Sequence, residues 1–372
     1  MGSMPWKDFG MYALVQTLGA ALAAFIYQGL FWSSFNLRPA KYGTPVDMDG
    51  AEVFYTFMLI FVYLNVTATE KSAFMQDNSF YGLAISFVMV AGVYAAGPIS
   101  GGCFNPAEAI GIDTASFTMG WGWCLSYVAY ELIASAMAVT AFRVCRPEEF
   151  GKERTLIAEC MSEFLGTFFL VSTVGLNTLA RCASGPCSVA TEYMCMVYAL
   201  HDVSGAYFNP AATLAAMAGK GADGNLPAGK AFKFMAVQFV GGIAGASYFM
   251  MLALRQFGKT GAEASMYPSL GPTQDNWHRF LFAETVFTFV LCYVVLAAAC
   301  SIRKSKVMFG LSVGSCCSVG ANEGCAFTHA SLRLGSARRN LTRESCEYRV
   351  GYPSTPVGMN VVSPPGPSTH WD

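Results

Sequence analysis

Four apolar runs, Met11 to Trp32, Phe117 to Phe142, Ala231 to Leu254 and Leu281 to Ser301, each approach or exceed the length that crosses a bilayer, which is about 20 residues of helix. Backbone polar groups find no water inside a bilayer, so a spanning segment must be an α-helix or part of a closed barrel, and apolar runs this long and unbroken read as helices. The expected fold is therefore all-α and embedded in a membrane. Composition agrees, with 54% hydrophobic and 13% charged residues, far from a soluble domain. The formal net charge is -1, and no basic cluster is interleaved with aromatics, which sets nucleic acid aside as a partner. The opening run is longer than the apolar core of a signal peptide and is followed by no cleavage-like site, so it reads as a retained helix. The 13 cysteines are scattered and form no Cys-x-x-Cys pair. They read as small packing residues rather than a disulfide or zinc framework.

Self-comparison divides the chain. Ala51-Glu52 with Thr56-Phe57, Ser162-Glu163 with Thr167-Phe168, and Ala283-Glu284 with Thr288-Phe289 share one pattern, the glutamates 111 and 121 residues apart. That spacing holds three membrane helices and one further hydrophobic re-entry. A second landmark recurs toward the end of each unit: Gln16 with Gly19 and Ala20, Glu131 with Ala134 and Ser135, and Gln238 with Gly241 and Gly242. Small residues at such positions let helix backbones approach closely. The expected organisation is an extra helix and linker over 1–50, a core over 51–255 made of half-repeats 51–145 and 158–255, the start of an incomplete third repeat over 281–321, and a tail over 322–372. The tail is rich in Gly, Ser, Arg and Pro and buries too little to fold. Its Asn340-Leu341-Thr342 sequon is of a kind common by chance.

Each whole unit contains an octet: Ser100-Gly101-Gly102-Cys103-Phe104-Asn105-Pro106-Ala107, and Ser204-Gly205-Ala206-Tyr207-Phe208-Asn209-Pro210-Ala211. A lone Asn-Pro is an ordinary turn signal, but two octets 104 residues apart are not. Each follows a spanning run and opens a segment too short to cross, which predicts a re-entrant loop feeding a half-helix with Asn as cap and Pro in the first turn. Irregular backbone at membrane depth is tolerated only where it is buried in protein or lines a cavity. Two half-helices entering from opposite faces would point their positive ends at the middle of the membrane, which repels cations, while the Asn105 and Asn209 amides offer donors.

With these residues in place, the chain resembles the aquaporin family over 51–255: six helices, the boxes Asn105-Pro106-Ala107 and Asn209-Pro210-Ala211, the helix-start Glu52 and Glu163, and Asp202 seven residues before Asn209. The resemblance implies a six-helix bundle with two re-entrant half-helices, to which the outer apolar runs add flanking membrane helices. It further implies passive transport of water or small neutral solutes such as glycerol, a homotetramer in lipid, and Glu52, Glu163 and Asp202 as structural supports. No cofactor, metal or catalytic residue is expected. The chain shows no nucleophile–base constellation, phosphate loop or metal spacing, and His201 beside Asp202 reads as loop support.

The chain departs from the family pattern at the narrowest ring. Where the family usually carries Arg, three residues after the second Asn, this chain has Ala212, and family offsets place the other lining positions at Ile85, Val197 and Ala206, with Tyr81 a rival to Ile85. Such a ring is apolar and permissive. Glu108 follows the first box, as an inert first-turn helix residue or as a cation-attracting group, and Glu131 stands where the family has Gln or a small residue. Loops alternating across the membrane put 12 Lys and Arg, from Lys7 to Lys306, on the N-terminal side and 6 opposite. That excess favours a cytoplasmic N-terminus and an inverted core, in which Glu108 takes the Arg position and Val93 and Gly102 become lining candidates. A non-conducting assembly subunit and a cation-leaky channel stand as the alternative functions.

Overall fold

The computed structural model describes residues 4–32, 34–39, 45–72, 74–76, 79–117, 122–180, 182, 184–219, 226–257, 277–300 and 308–317. The sequon, the tail, Arg181, Lys220 and residues 258–276 lie outside the described residues. The described residues form helices α1 (Trp6–Phe31), α2 (Pro45–Thr67), α3 (Tyr81–Ser100), α4 (Pro106–Ala115) and α5 (Trp123–Cys145). A short 3-10 turn (Pro147–Phe150) leads to α6 (Leu156–Ala180), α7 (Gly185–Ser204), α8 (Pro210–Ala218), α9 (Ala228–Phe257), α10 (Trp277–Cys300) and α11 (Met308–Cys317). Seven of them, α1, α2, α3, α5, α6, α9 and α10, are long and apolar enough to cross a membrane.

The bundle repeats one packing scheme twice. Helix α2 packs on α5 and α3, α6 packs on α9 and α7, and α3 meets α7 to join the halves. Small residues set these approaches. A Cβ at Gly241 or Gly245 of α9 would lie 2.7 Å from the Phe164 or Phe168 carbonyl oxygen of α6, so only glycine lets the backbones come so near. On α5 the corresponding residues, Ala134 and Ala138, are fully buried. Across the halves, the Tyr55 hydroxyl on α2 and the Thr173 hydroxyl on α6 share a buried hydrogen bond of 2.9 Å.

The flanking helices cover the short ones. Helix α1 packs along α4, where a Cβ on Gly111 would lie 2.6 Å from the backbone carbon of Ala20, and α10 packs on α8 through Leu296 and Gly219. The rest of α1 is exposed, with no fully buried residue, as expected of a helix whose outer face meets lipid. Helix α11 lies along α7. A Cβ at Gly310 would lie 2.6 Å from the Tyr198 ring, one at Gly314 would lie 2.7 Å from the Ala190 carbonyl oxygen, and Phe309 meets His201 with ring centroids 4.0 Å apart.

One end of the bundle is tied by a charged side chain that is wholly buried. Arg146, just past α5, donates through Nε to Asn65 Oδ1 at 2.9 Å, through Nη2 to the Ala199 carbonyl at 2.8 Å, and through Nη1 and Nη2 to both carboxylate oxygens of Asp202 at 2.5 and 2.7 Å. The Ser72 hydroxyl donates to the same carboxylate, and Arg154 donates to the Asp202 carbonyl. Asp202 lies at this end of the bundle, where its ion pair with Arg146 joins α7 to α5 and, through Asn65, to α2. Removing one partner of a buried, hydrogen-bonded pair leaves an uncompensated charge. Arg146→Ala is expected to destabilise the protein by about 3–5 kcal/mol, whereas Arg154→Ala, at a partly exposed pair, should change it by roughly 0–1 kcal/mol. Thermal unfolding of the two variants in detergent checks the contrast, and equal losses would remove the special weight given to Arg146.

Candidate functional site

Both octets fold the same way. Helix α3 ends at Ser100 with Gly101 at φ +95°, and α7 ends at Ser204 with Gly205 at φ +102°. The chain then passes through positive φ at Gly102 (+70°) and Ala206 (+53°), and again at Phe104 (+56°) and Phe208 (+50°). A bulky aromatic residue in that region is strained and persists only where its surroundings over-determine it.

Here the surroundings are two buried carboxylates. Glu52 on α2 accepts the backbone N–H of Cys103 at 3.1 Å and of Phe104 at 2.8 Å, and Glu163 on α6 accepts those of Tyr207 at 3.1 Å and Phe208 at 2.8 Å. The Ser100 and Ser204 hydroxyls each accept an N–H from two residues on, Gly102 and Ala206, at 3.2 Å. The aromatic rings fill matched recesses. Phe104 lies against Gly92 and Tyr55, whose ring centroid is 5.6 Å away, and Phe208 covers Gly166 so closely that a Cβ there would fall 2.2 Å from the ring.

From these loops the half-helices start. Asn105 and Asn209 sit in extended backbone as caps, their Oδ1 atoms accepting the N–H of Ala107 at 3.0 Å and of Ala211 at 2.8 Å, with Pro106 and Pro210 in the first turn. Capping uses the amide carbonyl only. Each side-chain NH₂ makes no hydrogen bond among the described residues, and Asn105 is exposed while Asn209 is half-buried. Each box therefore offers one fixed amide donor at the positive end of a short helix.

The remaining positions are spread around this frame. Ile85 on α3 is half-buried, and Val197 on α7 and Ala206 in the second loop are buried in the same apolar cluster, while Ala212 on α8 is fully buried. Tyr81 is exposed, and Glu108 is exposed in the first turn of α4 near Asn105. Two residues that the sequence marked only as repeat landmarks prove to hold the second box. Gln238 on α9 donates to Glu163 at 2.8 Å and exchanges hydrogen bonds with Thr213, and Thr167 donates to the Phe208 carbonyl at 3.2 Å. The spacing of Gln238 to Gly241 had been a landmark, but spacing carries no sign of which carboxylate the amide reaches. Among the described residues no group of three His, Cys, Asp or Glu is placed to hold a metal ion.

Spanning helices in two matched halves, each with a re-entrant box cradled by an internal glutamate, define a multi-pass integral membrane protein. The chain belongs to the Major intrinsic protein family, whose profile matches residues 1–142 and 148–339. Among curated relatives, it is 36% identical over 151 residues to a probable aquaporin NIP-type from Nicotiana alata, covering 39% of this chain and 52% of that protein. It is 29% identical over 149 residues to Aquaporin NIP1-1 of Zea mays, covering 39% and 50%. It is 30% identical over 132 residues to a probable aquaporin TIP-type from Antirrhinum majus, covering 34% and 50%. The chain spans about half the length of the curated relatives it matches. No solved structure matches it.

Glu163→Ala leaves two buried N–H groups without an acceptor, at about 1–3 kcal/mol each. It is expected to lower stability by roughly 2–6 kcal/mol and to raise amide exchange at Tyr207 and Phe208, with Glu163→Gln, which keeps one acceptor, milder on both counts. Unchanged exchange at those two residues would show that the carboxylate does not hold the loop.

Proposed function

We propose that this chain is a passive channel for water and small neutral solutes such as glycerol. The observation that carries the reading is the pair of cradled boxes, each presenting an unengaged asparagine NH₂ at a half-helix start. A passing oxygen accepts from such a donor, while the positive helix ends oppose cations. Residues 51–255 supply the channel, with Asn105, Pro106, Ala107, Asn209, Pro210 and Ala211 as its pore motifs and Glu52, Glu163 and Asp202 as supports. Helices α1 and α10 pack outside it, on α4 and α8, and four copies assemble as a tetramer, as the resemblance to the aquaporin family implies.

Ile85, Val197, Ala206 and Ala212 form the constriction in this reading, an apolar ring without the planar, charged donor that Arg brings. Purified chain in proteoliposomes should pass both water and glycerol under an osmotic gradient. Ala212→Arg should cut glycerol flux much more than water flux in a variant that stays monodisperse with an unchanged melting temperature. Equal cuts would place the constriction elsewhere.

Glu108 favours a second reading, cation conduction, because it is an exposed acidic residue in the first turn of the half-helix that Asn105 caps. Conductance across a planar bilayer that vanishes in Glu108→Ala supports it, and absence of conductance in the parent chain removes it.

For orientation, the excess of Lys and Arg favours a cytoplasmic N-terminus, with the Arg146 end of the bundle on the same side. A cysteine introduced at the exposed Lys152 should resist labelling by an impermeant thiol reagent in intact cells. Labelling from outside reverses the assignment.

A further inference from the structure

The face of α7 that carries Val197 is occupied by a helix from outside the two matched halves. Ala190 and Met194 stand seven and three residues before Val197, and His201 stands four after it, a spacing that puts all four on one face of a helix. Helix α11 lies along that face and runs the opposite way. Near its start Phe309 meets the His201 ring with centroids 4.0 Å apart, and further along a Cβ at Gly314 would lie 2.7 Å from both the Ala190 carbonyl oxygen and the Met194 Cβ. Between these points a Cβ at Gly310 would fall 2.6 Å from the Tyr198 ring, and the Tyr198 hydroxyl accepts the Leu311 N–H at 3.1 Å. That N–H is among the first four of its helix, which have no partner within it.

On α3 the matching stripe is open. Its residues, each 104 positions earlier, are Ser86, Val90, Val93 and Gly97. Ser86 is exposed and the other three are half-buried, whereas Ala190, Met194 and Val197 are buried. The difference reaches the ring assigned to the constriction, where Val197, Ala206 and Ala212 keep 0%, 3% and 0% of their exposure. A residue lining an open passage keeps contact with water, and these do not. The closure lies at the Arg146 end, since His201 and Tyr198 belong to the last two turns of α7, beside Asp202. There Phe74, from the segment between α2 and α3, meets the His201 ring at 5.4 Å, and Phe80 stacks on Tyr198 at 4.6 Å.

We propose that α11 is a built-in cover for the channel mouth at the Arg146 end, and that this conformation is the closed one. The inference rests on the channel reading, with Val197 at the constriction. Conduction then requires α11 to lift from α7, and the flux of the parent chain reports the fraction of molecules in which it has lifted. Leucine at Gly314 cannot make the close approach to the α7 backbone, and alanine at Phe309 takes away the ring on His201. Both changes disfavour the closed state while leaving every residue of the boxes and of the ring in place.

The full-length chain in proteoliposomes tests this through water and glycerol flux of the parent, Gly314→Leu and Phe309→Ala. Flux per inserted molecule should rise roughly threefold or more in both variants, because a small bias on a two-state equilibrium multiplies the minor state. In parallel, Val197→Cys is introduced into the parent and into each variant in detergent, and its reaction with a small water-soluble thiol reagent is followed at that residue by mass spectrometry. Faster reaction in the variants is expected. A conducting parent whose flux is unchanged or lowered in monodisperse variants overturns the cover, as does a labelling rate that neither variant alters. Absence of flux from parent and variants alike, with faster labelling in the variants, overturns the channel reading instead, since the cover has then lifted and nothing has passed. Should Gly314→Leu fail to fold, Phe309→Ala decides on both measurements.

Discussion

A carboxylate accepting two consecutive backbone N–H groups is the interaction on which the bundle depends. The loops before Asn105 and Asn209 expose peptide donors at membrane depth, where no water replaces a missing partner. They also hold Phe104 and Phe208 at φ values that an aromatic residue does not adopt unaided. Glu52 and Glu163 answer both demands at once. A buried carboxylate must in turn sit deep inside the protein, which obliges α2 and α6 to occupy the centre of the bundle. The bond between Tyr55 and Thr173 brings those two helices together there, and the glycines and alanines of α9 and α5 let the outer helices close around them.

The halves differ where side chains, rather than backbone, do the holding. Tyr55 lies beside Phe104 where Gly166 makes room for Phe208, and the Thr167 hydroxyl reaches the Phe208 carbonyl while the Thr56 hydroxyl, at the matching place, is buried without a partner. Matching backbone with unmatched packing means that the two boxes sit on supports of unequal strength, even though their loops superimpose in dihedral angles.

Much of this was legible in the residues themselves, because it is written in local signals. Apolar runs marked helices, the octets marked the two boxes, and Asn-Pro marked capped half-helices with a proline in the first turn. The helix-start glutamates stood out because a charge in a spanning segment needs a buried reason. What stayed hidden joins residues far apart in the chain. Arg146 read as one of several loop cations, yet its guanidinium is spent on Asn65, Ala199 and Asp202, 81, 53 and 56 residues away. Gln238 reached Glu163 across 75 residues, and α11 settled along α7 through Gly310 and Gly314 without a pattern that named its partner. Ala212, Val197 and Ala206 were placed by family offset, a method that carries a position but not a surroundings.

The character of α7 bears on how such a protein is made. It has 20 residues, as a spanning helix needs, but it carries Glu192, His201 and Asp202 and is not among the helices apolar enough to cross a membrane by length and composition. From Ala190 to Leu200 every residue is buried, Glu192 included, between α3, α6, α2 and α11. Its transfer into lipid as a lone segment is opposed by those polar groups, each of which insertion machinery reads as a penalty. The helix therefore belongs in the bilayer only as part of an assembly. During synthesis α2, α3, α5 and α6 emerge before it, and they provide the faces that α3 and α6 turn to it and the Arg146 that meets Asp202. The order of elements along the chain thus doubles as an order of insertion, with the least hydrophobic span arriving after α2, α3, α5 and α6 and before α11 closes over it.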